Sequence, residues 1–302
     1  MAACIDTLLA RASAAVLAAW LAPSALHAQT APAPPLRAQS LGVSDNLYLL
    51  SGGGGGNTLM MTAETGTVLI DAGALASGPQ LAEIASTISD QRVTTVVYSH
   101  AHVDHTGGTT ALRDAPRIIA HERTAAALKQ AGVAEHLVPT ERVTESLTLF
   151  EGPDRIELRY FGRGHTGGDL VVTFPGKRLA YLGDLFPGKM LPAVDRENGG
   201  SWVELPQTLA RAVAALSGVA RIIPGHASPP PGSPLGRWIT IADLQEYADF
   251  TRDLVTAARD GLSSGRGVDD VAANLTLPTR YAAYDLNGLR QAIQAISEEI
   301  AR

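Results

Sequence analysis

Residues 100–105 read HAHVDH, three histidines and one aspartate in six consecutive positions of a chain with eight histidines. Imidazole and carboxylate at that density suit a divalent metal ion. In an extended strand, residues 100, 102 and 104 would point one way and His105 the other. All four can face a common centre only where the chain turns. The flanks supply that setting: VTTVVYS (93–99) predicts a buried strand, and Thr106, Gly107 and Gly108 lead away from it. Open α/β sheets place their sites on such loops, beyond the carboxyl ends of strands. His100 and His102 are spaced to grip one ion, Asp104 and His105 a second.

Two pairs do not complete two sites, because zinc takes about four ligands and a catalytic centre leaves one position to water. Three further candidates follow predicted strands or sit beside glycines. They are His165 in GRGHTGGD, Asp184 in YLGDLF and His226 in IPGHAS. His121 and His136 lie in helix-like surroundings and lack that framing.

The ordered set, HxHxDH followed by a separate His, Asp and His, resembles the metallo-β-lactamase superfamily over roughly residues 41–228. LIDAG (69–73) is similar to the family's strand-end motif before the metal loop. The resemblance implies an α/β fold, a four-layer αββα sandwich with a dinuclear zinc site at one edge. By motif His100, His102 and His165 would hold the first metal. Asp104, His105 and His226 would hold the second, with Asp184 bridging. Iron or manganese also suits His/Asp sites of this kind. The chemistry implied is hydrolysis by a metal-bridging hydroxide, since zinc lowers the pKa of bound water from 15.7 to about 7. Asp104 is placed to orient the nucleophile and pass a proton. Asp71 is either a hydrogen-bond partner of a ligand imidazole or a strand-end cap, and Thr166 either supports a ligand or shapes a turn.

Departures from the family's branches narrow the reaction. Position 102 is His rather than the Glu of diiron oxygen-reducing relatives, and the chain leaves no room for their flavin domain. Asp184 stands where one β-lactamase subclass has cysteine and another lacks a bridging carboxylate, a pattern closer to glyoxalase II, lactonases and phosphodiesterases. No nucleic-acid clamp domain of the nuclease branches is visible, and the tail lacks a basic cluster for glutathione. GKMLPAVDRENGGSW (188–202) resembles the variable loop over the site, offering Lys189, Met190 or Trp202 to substrate. Alternatively it is an ordinary surface loop with a packing Trp. The glycines of SGGGGGN (51–57) either approach the metals as a lid or form a plain loop.

The elements that must position these residues are legible in outline. The chain has 302 residues, 45% apolar and 18% charged, with a formal charge of −6, enough for one large α/β domain with appendages. Mild acidity excludes the basic footprint of a nucleic-acid binder. Arg11, the apolar run ASAAVLAAWLAPSAL (12–26) and LHA-QT predict a signal peptide over 1–28, hence a periplasmic protein. The run is too short to span a membrane. The single cysteine, Cys4, would leave with it. TAPAPPLRAQS predicts a flexible linker over 29–40. A hydrolase domain would follow over 41–238.

Within that domain, strands are expected at 46–50, 58–62, 67–71, 93–99, 117–120, 147–150, 155–161, 169–174, 178–183 and 219–224, with helices near 78–90, 111–116, 122–131 and 204–216. Residues 239–302 read as a C-terminal helical extension packing on the domain. Thr240 and Asp243 form a capping pair, and Leu286, Leu289, Ile293, Ile296 and Ile300 trace one apolar stripe. That stripe packs on its own domain or meets a second copy; no internal repeat is apparent.

The reading is an exported zinc hydrolase with two Zn2+ acting on an ester, lactone, thioester or β-lactam-like carbonyl of a small molecule. The alternatives are a phosphodiester or phosphonate hydrolase at the same site, and a non-catalytic periplasmic metal-binding accessory protein.

Overall fold

The computed structural model describes residues 33–42, 46–112, 116–226 and 239–301. From Ala33 onward the chain forms one compact unit. The predicted signal peptide lies outside the described residues, as do residues 113–115 of the expected helix at 111–116.

A first sheet has seven strands in sequence order: β1 (Leu36–Ser40), β2 (Leu47–Gly52), β3 (Thr58–Ala63), β4 (Gly66–Ile70), β5 (Val93–Val97), β6 (Arg117–His121) and β7 (Glu141–Val143). Pairing is antiparallel from β1 to β4 and parallel from β4 to β7. The second sheet is ordered β12-β11-β10-β9-β8, built from β8 (Ser146–Leu149), β9 (Ile156–Tyr160), β10 (Leu170–Phe174), β11 (Leu179–Tyr181) and β12 (Arg221–Ile223). Helices α1 (Gly78–Ile88), α2 (Val103–Thr106), α3 (Glu122–Gln130), α4 (Leu205–Ala215), α5 (Ile241–Ser263), α6 (Val268–Asn274) and α7 (Leu289–Ile300) complete it.

Strand periodicity builds the layers. On β3, Leu59 and Met61 enter the core between the sheets, whereas Met60 enters the core under α1 and α3. Both faces of these strands are covered, which is why they read as unbroken apolar runs rather than alternating ones. Leu158, Val172, Tyr181 and Ile223 fill the inter-sheet core from the second sheet. Its other face, with Val171, Ala180 and Ile222, is covered by Leu209 of α4, Leu244, Tyr247 and Leu254 of α5, and Ile293 and Ile296 of α7. The architecture is the αββα sandwich. The C-terminal helices belong to one outer layer and share its core.

Two expectations are corrected. Residues 36–40 of the expected linker form β1, an edge strand paired with β2 from Leu36↔Gly52 to Ser40↔Tyr48. Its four exposed residues out of five hide it from an apolar-run criterion. Glu141–Val143, for which no strand was expected, pairs with β6. The capping box at Thr240 and Asp243 is present, with Asp243 Oδ2 accepting from the Thr240 N–H at 2.9 Å. Among the described residues no helix is long and apolar enough to cross a membrane.

If α7 is core rather than appendage, Ile293→Ala is expected to cost about 2–5 kcal/mol in urea unfolding. Ile300→Ala, at the exposed end of the stripe, should change stability by about 0.5 kcal/mol or less.

Candidate metal centre

The strand directions bring the centre together. Strands β4 and β5 are parallel in one sheet; β9, β11 and β12 run the same way in the other. Their carboxyl ends therefore share an edge, and the Leu170 N–H donates to Ser99 O at 2.8 Å across the two sheets there. Asp71 follows β4, and Ser99, His100 and His102 follow β5, with Asp104 and His105 on α2. His165 follows β9, Asp184 follows β11 and His226 follows β12.

The structure gathers all seven candidate ligands. His100, His102, His165 and Asp184 offer atoms within 4.8 Å of one another, as do Asp104, His105 and His226. Asp184 lies between the two sets. Its Oδ2 is 3.7 Å from His165 Nε2, 4.0 Å from His100 Nε2 and 3.4 Å from His226 Nε2. Its Oδ1 is 3.3 Å from His105 Nε2. His226 Nε2 is 3.1 Å from Asp104 Oδ2.

Which ring nitrogen carries the proton follows from the outer contacts. His105 Nδ1 faces the Asp71 carboxylate at 2.8 Å, and His102 Nε2 faces Asp195 at 2.8 Å. His165 Nδ1 meets the Ala193 carbonyl. The Ser99 hydroxyl donates to Asp71 Oδ2 at 2.7 Å, so His100 Nδ1 must donate to Ser99 Oγ at 3.0 Å. The carboxylates and the carbonyl can only accept, and the Ser99 hydroxyl has its proton committed to Asp71, so each of these rings donates outward and keeps its inward nitrogen as a lone pair. Lone pairs then confront each other, His165 Nε2 and His102 Nδ1 at 3.0 Å. His100 Nε2 and Asp184 Oδ1 are buried with no hydrogen-bond partner. Only a cation or an added proton relieves that arrangement, and the donor set of imidazoles and carboxylates fits a divalent metal.

The electrostatics agree. Burial holds His100 well below the imidazole range and lowers His165 also, leaving both neutral and ready to bind metal. His226 is pushed up to about 9 by its hydrogen bonds to Asp104 and Asp184. Burial is the largest single influence on His105 and lowers it, but the charges and hydrogen bonds of Asp71 and Asp184 together outweigh burial and raise the ring to about 10. Without metal, protons settle on these two rings, among the carboxylates where a cation would be bound.

The supporting residues are partly those expected. Asp71 is fully buried, sits at φ 60°, and accepts from Ser99 N–H and Oγ, His105 Nδ1 and the Tyr181 hydroxyl, all within 2.8 Å. It is thus an imidazole partner as well as a strand-end residue. Thr166 donates through N–H and hydroxyl to buried Asp169, whose carboxyl burial raises to about 7. Asp169 and Asp195 were not singled out from the sequence, where one ends a turn and the other sits among polar loop residues. Gly56 packs flat against His105 and donates its N–H to Asp104 O at 2.8 Å. The glycine segment is therefore a wall behind the metal loop at this point rather than a free lid.

The suggested substrate contacts separate. Trp202 is a correction: it is 5% exposed inside the outer-layer core, because the loop turns inward there to begin α4. Lys189 is tied to Glu246 of α5 at 2.8 Å. Met190 is exposed.

A two-sheet sandwich with a His/Asp cluster across one edge defines a class of metallo-proteins. Within it, the chain belongs to the metallo-beta-lactamase superfamily, whose family model matches residues 51–226. A metallo-beta-lactamase type 2 of Bacillus sp. (strain 170) is 29% identical over 178 residues, 56% of this chain and 66% of that protein. The 2,4-dinitroanisole O-demethylase subunit alpha of Nocardioides sp. (strain JS1661) is 28% identical over 56% of this chain, which spans about half of that relative, 51%. Among solved structures, a metallo-beta-lactamase from Pontibacter korlensis superposes with TM-score 0.60 at 19% identity, over 72% of this chain and all of that one. The DIM-1 metallo-beta-lactamase gives 0.59 at 20%, over 73% and 98%. At these identities the structural likeness shows the fold.

A methyl at Gly56 would stand 2.3 Å from His105 Cε1. Gly56→Ala is expected to cost about 1–3 kcal/mol by overpacking. Gly218→Ala, with nothing within 4 Å, should leave stability unchanged or raise it by about 0.4–1 kcal/mol. Thermal or urea unfolding reads both.

Proposed function

We propose that this protein is a hydrolase dependent on two divalent cations, zinc in the first instance. His100, His102 and His165 would hold one ion; Asp104, His105 and His226 would hold the other, with Asp184 between them. The observation that carries this reading is the convergence of the inward lone pairs of His100, His102 and His165, each fixed by an outer hydrogen bond, on the carboxylate of Asp184. The cations would supply Lewis acidity, polarising the scissile carbonyl and acidifying water.

The chain's own residues perform the remaining tasks. His100, His105 and His165 are buried, whereas Asp104 and His226 have side chains 37% and 47% exposed. Substrate therefore approaches from the Asp104–His226 side. Asp104 is held below the usual carboxylate range, first by its hydrogen bond from His226, so it stays ionised at neutral pH and can accept a hydrogen bond from the attacking water. Asp71 and Asp195 keep their imidazoles oriented through the cycle. Met190, exposed on the 188–202 loop, is the substrate contact we assign.

Three matched relatives are named metallo-beta-lactamases, which supports a β-lactam-like carbonyl substrate; lactone, ester and thioester carbonyls are open to the same chemistry. The apolar run and LHA-QT at the start of the chain support export to the periplasm.

Elemental analysis is expected to return close to two zinc per chain. Hydrolysis of at least one of nitrocefin, a lactone or a thioester should vanish on chelation and return with zinc. Asp104→Asn should lower kcat/KM about 10²–10⁴-fold. Turnover of bis-nitrophenyl phosphate alone would overturn the carbonyl assignment. Bound metal with no turnover on the whole panel would overturn the enzyme reading in favour of a metal-binding accessory protein.

A further inference from the structure

The two ligand sets are braced by different parts of the chain. His100 and His105 are oriented from the main sheet, through Ser99 and Asp71. His102 and His165 are oriented by the 188–202 segment. His165 Nδ1 donates to Ala193 O, and the Asp195 N–H donates to His165 O at 2.8 Å. Asp195 Oδ2 accepts from His102 Nε2 at 2.8 Å. The Asp195 carboxylate is itself fixed: Oδ1 accepts from the N–H groups of Glu197 and Asn198 at 3.0 and 3.1 Å, and Oδ2 from Asn198 Nδ2 at 2.7 Å.

This segment is fastened from outside the residues matched by the family model. At its start, the Leu191 N–H donates to Asp285 O and the Asp285 N–H to Lys189 O, both at 3.0 Å. At its end, Glu299 of α7 accepts from the Trp202 N–H at 3.0 Å and from the Ser201 hydroxyl. In between, Arg196 Nη1 lies 2.7 Å from Glu298 Oε2, also on α7. The chain of contacts runs from α7 through the 188–202 segment to two imidazoles of one ligand set. Its links run through Glu299, Trp202, Asp195 and Ala193 rather than through Asp104, His105 or His226, although the His105 N–H donates to His102 O at 3.0 Å.

We propose that Asp195 is a positioning residue for His102, and that α7, chiefly through Glu299, holds the segment that carries it. The C-terminal helix thereby sets the affinity of the His100–His102–His165 site and leaves the Asp104–His105–His226 site alone. The inference rests on the metal-binding reading above. Its physical basis is rotational: an imidazole presents Nδ1 inward only while its Nε2 proton is held, and an ionised acceptor also makes the ring a stronger donor to metal. Loss of such an outer partner typically costs about 10–100-fold in metal affinity.

Cobalt(II) titration of the metal-free full chain, followed by visible absorption and by competition with a chelating dye, tests this directly. His165→Ala identifies which absorption band belongs to the first site. Asp195→Ala should weaken that site about 10–100-fold and alter its band. The other site should stay within about twofold, serving as the internal check that the protein is folded. Asp195→Asn keeps an acceptor oxygen without the charge and should fall between wild type and Asp195→Ala. Glu299→Ala should weaken the same site by less than Asp195→Ala does. Unchanged affinity in Asp195→Ala, or equal weakening of both sites, overturns the inference while leaving the metal reading standing. A wild-type chain that binds no cobalt overturns the metal reading, and this inference with it.

Discussion

The carboxylate of Asp71 is the constraint from which the site is organised. It is fully buried, and its backbone sits at φ 60°, a region that costs a non-glycine residue about 1–2 kcal/mol. A buried carboxylate without partners would cost several kcal/mol more. Four donors from Ser99, His105 and Tyr181 offset both costs, at about 1.5–3 kcal/mol for each hydrogen bond to a charged group. Those donors belong to the end of β5, the metal loop and β11. One side chain therefore ties the two sheets at the edge where the ligands lie, and sets the His105 ring so that Nε2 faces inward. The unusual backbone persists because the surroundings over-determine it.

From that anchor the rest of the centre follows as accumulated, unrelieved electrostatics. Folding holds five imidazoles and two carboxylates close together, each imidazole of the buried set turned by an outer acceptor. A sequence selected for stability alone would replace such a cluster with apolar side chains of similar size, since unsatisfied buried polar groups destabilise. Violations of local rules concentrate where function demands them. Among the described residues the titratable ones gather at one edge, while the three apolar cores on either side of it and between the sheets carry at most an isolated unpartnered hydroxyl, those of Tyr98 and Tyr247.

Legibility in the sequence divides along the same line. The metal loop was readable because four chemically active residues in six positions leave few other uses, and because a β-rich run precedes them. Val93–Val97, Leu170–Phe174 and Thr58–Ala63 were readable because strands covered on both faces over most of their length are dominated by apolar and β-branched residues. Leu36–Ser40 was not, since an edge strand with solvent on it carries no apolar signature. Trp202 could equally have been a contact or a packing residue, and only its place at the inward turn before α4 decides it. Asp195 lies 93 residues from His102 in a run of polar loop residues, so no spacing rule relates the pair. Outer partners are chosen by tertiary proximity, and single-sequence patterns report periodicity, not proximity.

The residues after the matched region show how packing and function become coupled without any shared motif. The outer face of β10, β11 and β12 is apolar and needs a cover, which α4, α5 and α7 provide by burying Leu209, Tyr247, Phe250 and Ile293. Once α7 is laid there for that reason, Glu298 and Glu299 lie beside the loop that enters the core at Trp202. A single conformation of that loop satisfies the Trp202 N–H, the Ser201 hydroxyl and Arg196 together. The same conformation brings Ala193 O and Asp195 against two imidazoles. Burial of an apolar face, a requirement of stability, thus fixes the register of a polar loop, and the loop fixes the aim of two metal-facing nitrogens. Geometry at the centre is inherited from hydrophobic packing on the far side of the second sheet.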